Sequence, residues 1–446
     1  MKIKTLSRSE QQHTRANKGD VTKVHRNATG NVNKFQRARE YQRALVAVKL
    51  DKMFAKPFVG ALDGHMDGVW CTANCKRSLV EFISGSCDGE IKAWDLAQRR
   101  CVWTRPAHDG FVRGISIEPH NAFFLSCGDD CTIKKWRLQV DDSSEDAMQP
   151  DYTWSGDRPF LSLDHHWAQS KFCTSAEAVD VWDYNRPQPV SSFAWGADAV
   201  TMARWNPAEP ALIASAGADR SVTLYDVRQS NMLHKTTLAM KSNCLAWNPQ
   251  EPFNFVVANE DHNLYTFDMR RMESALKIHK DHVSAVMSVA FSPTGQEFVT
   301  GSYDRTVRIF GHRAGRSKEC YHARRMQRVF CVNYSADARF VISGSDDTNL
   351  RIWKADANES LGPRASREIR SREYRDALKN KFAHMPEIRK IAKRRHTPKA
   401  IHKATVQERE SNERQRRKTE NRIKHSRPGT VKREAQRQQV VVKKHD

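Results

Sequence analysis

The sequence predicts an all-β ring of seven four-stranded blades, a β-propeller, with a basic extended N-terminal arm and a basic α-helical C-terminal domain. Three observations predict it: a short motif that returns every 42 to 46 residues, alternating apolar patterning between the returns, and positive charge gathered at the two ends.

The motif is an Asp, a turn, an apolar residue, and an aromatic six residues after the Asp. It reads DGEIKAW (Asp88 to Trp94), DCTIKKW (Asp130 to Trp136), DRSVTLY (Asp219 to Tyr225), DHNLYTF (Asp261 to Phe267), DRTVRIF (Asp304 to Phe310) and DTNLRIW (Asp347 to Trp353). A seventh copy, AEAVDVW, has Ala176 in place of the Asp. Each period holds four short segments of period-2 pattern, such as Val112 to Ile117, Phe123 to Ser126 and Thr132 to Trp136, and helical periodicity is absent. Four strands per repeat is one blade, and seven blades close a ring that leaves few exposed edges. Phe58 to Ala61 precedes His65 as Cys101 to Thr104 precedes His108, so residues 58–62 are expected to be the outer strand of the last blade. The expected organisation is an arm over 1–57, a propeller over 58–355 and a helical domain over 356–446.

Charge separates these parts. Residues 1–60 hold 14 Lys and Arg against 4 Asp and Glu, residues 356–446 hold 27 against 12, and the intervening ring is nearly neutral. A neutral platform with two cationic extensions suits a polyanion. No run of 18 apolar residues exists and the N-terminus is polar, so a membrane or secreted protein is not expected. The ten cysteines include no Cys-x2-Cys pair, which argues against a zinc module and for small buried strand residues in a reducing compartment. No phosphate-cradling Gly-x4-Gly-Lys, dinucleotide Gly-x-Gly-x2-Gly, His-Glu-x2-His or Asp-rich calcium loop occurs. No cofactor or metal is expected. The acidic stretch Asp141 to Asp157 reads as a surface loop.

Blade one offers His65, Ser84, Asp88 and Trp94, and blade two repeats the set as His108, Ser126, Asp130 and Trp136, with His282 and Asp304 in the sixth. An acyl-transfer site needs those residue types once, at an exposed turn. Their recurrence, with Gly64-His65, Ser84-Gly85-Ser86 and Trp94-Asp95, resembles the WD-repeat family, in which such residues form a structural hydrogen-bond network within each blade. No catalytic residue is expected. The third, fourth, fifth and seventh blades lack the His, and Val257 replaces the Ser in the fifth, so these blades are expected to rely more on apolar packing.

After Trp353 the pattern becomes helical. Tyr374, Leu378 and Phe382, then Ile388, Ile391 and Ala392, mark two short amphipathic helices split near Pro386, with the first expected to dock on the ring. From Lys399 to Arg427 a third stretch is polar nearly all round, a helix that fits an RNA groove or a crevice and can be disordered when free. The runs Glu359-Ser360-Leu361-Gly362, His384-Met385-Pro386-Glu387-Ile388-Arg389-Lys390-Ile391 and Lys424-His425-Ser426-Arg427-Pro428-Gly429 resemble the C-terminal domain of the SOF family, WD-repeat proteins named for suppressing a fibrillarin defect. Met1-Lys2-Ile3-Lys4, Arg39-Glu40-Tyr41 and Phe54-Ala55-Lys56-Pro57-Phe58 agree. The resemblance implies a nucleolar component of the small-subunit processome, with ribosomal precursor RNA, the box C/D small nucleolar ribonucleoprotein and other processome proteins as partners. The densest expected phosphate contacts are Arg389, Lys390, Lys393, Arg394, Arg395, Lys399 and Lys403, followed by Arg416, Arg417, Lys418, Arg422 and Lys424.

A different reading starts from Asp226-Val227-Arg228 and Asp268-Met269-Arg270, two Asp-x-Arg boxes 42 residues apart. They resemble the paired motif by which WD-repeat substrate receptors dock on the damage-binding adaptor of cullin-4 ubiquitin ligases.

Overall fold

The computed structural model describes residues 35–138, 149–194, 198–229, 231–427, 430–431 and 435–445, which fall into two compact units. Of these residues, one unit contains those within 57–356 and 396–445, and the other those within 35–56 and 357–395. Residues 1–34, much of the acidic Asp141 to Asp157 stretch, and Pro428-Gly429 lie outside the described residues.

The larger unit is a ring of seven antiparallel sheets. Blade one is made of Val69–Asn74, Glu81–Ser86, Glu90–Asp95 and Arg100–Pro106, paired in that order. The next six span residues 112–155, 162–193, 200–238, 242–279, 286–321 and 329–354. Strand one of blade one alternates buried and half-buried side chains, which is the period-2 pattern converted into packing.

The repeated Asp owes its position to the turn between the second and third strands of a blade. Its carboxylate accepts the backbone N–H two residues on, as in Glu90 N to Asp88 (3.0 Å), Thr132 N to Asp130 (3.1 Å), Ser221 N to Asp219 (2.9 Å), Asn263 N to Asp261 (3.0 Å) and Thr306 N to Asp304 (2.9 Å). The intervening residue is left-handed in every case: Gly89, Cys131, Arg220, His262 and Arg305. Gly89 is obligatory there, because a Cβ would lie 2.0 Å from the His108 carbonyl oxygen.

The ring closes between distant parts of the chain. Phe58–Leu62 pairs antiparallel with Leu350–Lys354, with Leu62 opposite Leu350 and Phe58 opposite Trp353. Leu62, Phe82, Trp94, Ile342, Leu350 and Ile352 form one buried cluster across the seam. Blade four has a fifth strand: Val441–His445 pairs with its outer strand Met232–Leu238, and Val440 joins the cluster containing Leu238, Met272 and Ala275.

The smaller unit is helical: α1 (Gln36–Met53), α2 (Ser366–Lys381) and α3 (Pro386–Ala392). Ala44, Val48, Leu378, Phe382 and Ile388 are its buried core, edged by Tyr41, Leu45, Tyr374, Met385 and Ile391. Tyr41 donates to Glu387 (2.8 Å), Lys381 pairs with Glu40 (2.7 Å), and Lys379 pairs with Asp51.

Two sequence expectations change. Residues 36–53 are helical rather than an extended arm, because Tyr41, Ala44, Leu45 and Val48 supply the apolar face that the stripes of α2 and α3 lack; within this unit those stripes pack on α1. Residues 356–446, expected as one helical domain, are divided by their contacts between the two units: 357–395 lie with α1, and the described residues from His396 onward group with the propeller.

Candidate functional site

The basic residues divide between the two units. Arg389 and Lys390 lie exposed on α3, and Lys393 and Arg394 are exposed just after it; Arg395 is half-buried. Lys399, Lys403, Arg416, Arg417, Lys418, Arg422 and Lys424 sit on α4 (Lys399–His425), all exposed. The seven-residue set judged densest in the sequence is thus split between the units after Arg395.

α4 is fastened at both ends. Ahead of it, the His396 ring stacks on His322 with a 3.2 Å nitrogen contact; early in the helix Ile401 is buried and Glu408 lies 3.3 Å from His262. Past its end, Gln436–Gln439 (α5) and Val441–His445 are anchored: Arg437 donates to the Leu276 carbonyl (3.1 Å), Ala275 donates to the Arg437 carbonyl (3.2 Å), and the last strand joins blade four. Between these moorings every residue from Ser411 to Arg422 is exposed. A span without apolar burial has only local support, of which the Arg416–Glu420 pair (2.7 Å, i to i+4) is one part. From Lys399 to Arg427 the chain carries ten Lys and Arg against four Glu. The result is a cationic rod about 40 Å long, at 1.5 Å per residue.

The blade networks show which polar groups are structural. In blade two, Trp136 Nε1 donates to Ser126 Oγ (2.9 Å), Ser126 donates to His108 Nε2 (2.7 Å), and His108 Nδ1 donates to Asp130 (2.9 Å). In blade six, His282 joins Thr300 (2.7 Å) and Asp304 (2.9 Å). Burial by itself would raise the Asp304 pKa, but the His282 ring, Arg308 and Thr306 more than offset it and bring it to about 2, while burial lowers that of His282. The pair is therefore a carboxylate accepting from a neutral imidazole. Ser84 and Ser126 are fully buried, out of reach of a substrate.

Blade one departs from this pattern. His65 Nε2 meets Ser84 Oγ (2.7 Å), which also accepts from Trp94 (2.7 Å), but His65 Nδ1 makes no hydrogen bond and Asp88 is not joined to it. Burial and the Lys92 charge lower the His65 pKa to about 4, against the opposing pull of Asp88. His65, Asp88 and Glu90 bring one ligand atom each within 4.8 Å of one another, the one such group among the described residues. The Lys92 ammonium, 3.1 Å from Glu90, already supplies a positive charge beside that carboxylate and disfavours a cation there.

The blades without His, expected to rely more on apolar packing, also hold polar partners of their own. Asp219 pairs with Lys235 (2.9 Å), Asp261 accepts from Tyr265, Asp347 pairs with Arg351, and Thr174 accepts from Trp182 (2.9 Å). In the fifth and seventh, the substitute donor stands four residues after the Asp, an offset the repeat already displays.

Both Asp-x-Arg boxes begin on the last residue of a third strand, Asp226 of Ser221–Asp226 and Asp268 of Leu264–Asp268. Arg270 holds Asp268 through two hydrogen bonds (3.0 and 2.9 Å) and lies 4.3 Å over the Phe253 ring; Arg228 is 3.8 Å from Asp226. The two arginine side chains are 63% and 73% exposed, so both are open to a partner, and Arg270 is also oriented locally by Asp268. Phe253 closes a loop whose Asn248 and Glu251 line a cleft of about 690 Å³ with His312 and Arg313.

Sequence reasoning missed α1 and the fifth strand of blade four. The spacing of Tyr41, Ala44, Leu45 and Val48 carried the first signal; Val440-Val441-Val442 carried a faint one for the second.

Comparison with known proteins matches this architecture. The family model of a Sof1-like domain matches residues 355–441, and that of a WD domain, G-beta repeat, matches 56–95, 99–137, 273–311 and 318–354. The intervening three blades are supplied by the structure. DDB1- and CUL4-associated factor 13 of Homo sapiens is 45% identical over 442 residues, covering 99% of both chains. The protein of that name in Danio rerio is 45% identical over 443 residues, again 99% of each, and that of Dictyostelium discoideum 43% over 412 residues, 90% of this chain and 91% of its own. The chain therefore belongs to the Sof1-type family of WD-repeat proteins, whose curated relatives carry the name DDB1- and CUL4-associated factor 13.

Proposed function

We propose that this protein is a non-enzymatic scaffold of the small-subunit processome in the nucleolus. Its basic helices hold ribosomal precursor RNA or box C/D small nucleolar RNA, and its propeller holds neighbouring proteins. The observation that carries this reading is α4: a polybasic helix moored at both ends with an uncovered middle. Mooring leaves less chain to order on binding, and the uncovered arginines can neutralise phosphates and release counterions. Burial of the Ser and His side chains supports the non-enzymatic part, and among the described residues no helix is long and apolar enough to cross a membrane.

The test is the salt dependence of full-length protein binding to a fluorescein-labelled RNA hairpin. Engagement of about six phosphates lowers affinity roughly 10³-fold between 50 and 200 mM salt, and changing Arg416, Arg417 and Lys418 together to Ala reduces the log–log slope by about three. A flat response, or an unchanged slope in the triple variant, overturns the reading.

A second role rests on its own observation. The exposed Arg228 and Arg270, each two residues after an Asp and the second held by it, fit docking on the adaptor of a cullin-4 ubiquitin ligase, and the relatives' name points to that association. The two roles use different residues and are compatible.

A further inference from the structure

Helix α1 has a second face that the core of its own unit does not use. Phe35, Arg39, Gln42, Val46, Lys49 and Met53 follow one another at spacings of four and three, so they lie along one line of the helix, with Leu50 half-buried beside it. Phe35 is 69% exposed, Val46 46% and Met53 71%, and Phe54, just past the helix end, is 69% exposed. Four large apolar side chains open to solvent on one 18-residue helix and its flanks are more than scattered surface residues require.

Charge on this helix is sorted as well. Its two acidic residues, Glu40 and Asp51, are turned into the unit, where they pair with Lys381 and Lys379. The open line therefore carries apolar groups, the neutral Gln42 and the cations Arg39 and Lys49, with no acidic residue on it, and Arg43 alongside donates to Tyr374 (3.3 Å). We propose that this line of α1 is a docking surface for an acidic amphipathic helix of a partner protein. Apolar residues of that helix would cover Val46, Leu50 and Met53 in the manner of a two-helix seam, and its carboxylates would meet Arg39 and Lys49.

Charge excludes the nearer occupants. Residues 1–34 of this chain hold eight Lys and Arg against two Asp and Glu, the same sign as the surface, and a second copy would set cations against cations. Phosphate backbones would satisfy Arg39 and Lys49 but leave Val46 and Met53 wet. The proposal goes beyond RNA binding through α4 and does not depend on it.

The experiment places the photocrosslinker p-benzoylphenylalanine at position 53 of the full-length chain in cells, with the opposite-face position 37 as control, and sequences the adducts. The expected adducts are protein segments of net negative charge with apolar residues at helical spacing. A fluorescein-labelled synthetic peptide of the captured segment then binds the purified chain at least tenfold more tightly than it binds Met53→Asp or the double change Arg39→Glu with Lys49→Glu. Both variants alter exposed side chains only, and the second leaves every apolar contact intact should the first disturb folding. RNA binding stays unchanged in both, which separates this result from the fate of the RNA reading. Adducts to RNA, to residues 1–34, to a second copy or to a basic or neutral segment overturn the proposal. So do adducts no stronger than at position 37, or a peptide that binds the charge-reversed variant equally.

Discussion

The repeated Asp should not be worth the same in every blade, and the comparison of Asp304→Ala with Asp88→Ala measures the difference. Asp304 is almost wholly buried and accepts from His282 Nδ1 (2.9 Å), the Thr306 backbone (2.9 Å) and the Thr306 hydroxyl (2.6 Å). Removing it leaves the buried imidazole N–H without an acceptor, which costs about 1–3 kcal/mol, and loses the turn bond besides, for a total of about 3 kcal/mol. Asp88 is exposed, is not bonded to His65, and supports only its own turn through Glu90 N, so its removal should cost about 1 kcal/mol or less. Urea unfolding followed by tryptophan fluorescence, with the two variants compared at matched slope, reads the gap. Acidity supplies an independent check. The folded Asp304 pKa lies below its unfolded value, so its stabilisation is complete above about pH 4 and fades as pH falls toward 2. The deficit of Asp304→Ala should shrink over that interval. Equal costs for the two variants, or a deficit that ignores pH, would refute the assignment of the network.

Three further outcomes follow from the geometry. Changing Arg228 and Arg270 together to Ala should abolish capture of the purified cullin-4 adaptor while leaving RNA affinity within about twofold, since both side chains are exposed. Ending the chain after Gln439 removes buried Val440 and the strand on Met232–Leu238; hydrogen exchange should quicken along that outer strand and in α4, with little change in blade one. Phe382→Ala, at 3% exposure in the core of the helical unit, should cost that unit about 3–5 kcal/mol and leave the propeller's own transition in place, because the two are separate compact units.

Much of this protein is legible without coordinates because each blade is specified locally. Asp130, Cys131 and Thr132 fix a turn within three residues, and Trp136 follows on the same strand, so the motif and its period announce seven copies of one unit. The segregation of charge toward the chain ends is likewise a property of the sequence alone, as are the helical character of α2, α3 and α4 and the two Asp-x-Arg boxes.

What tertiary structure decided is the identity of partners far apart in the chain. Nothing local to Tyr374, Leu378 and Phe382 says that α1, more than 300 residues earlier, covers them in place of the ring. The same holds for Val441–His445 on blade four. Apolar faces state that burial is required but not by what, since the hydrophobic effect is non-directional; only the closed chain chooses among surfaces of equal chemistry. His65 makes the point at the scale of one side chain: its sequence context matches that of His108, yet with Lys92 between Glu90 and Thr104 its Nδ1 makes no bond to Asp88.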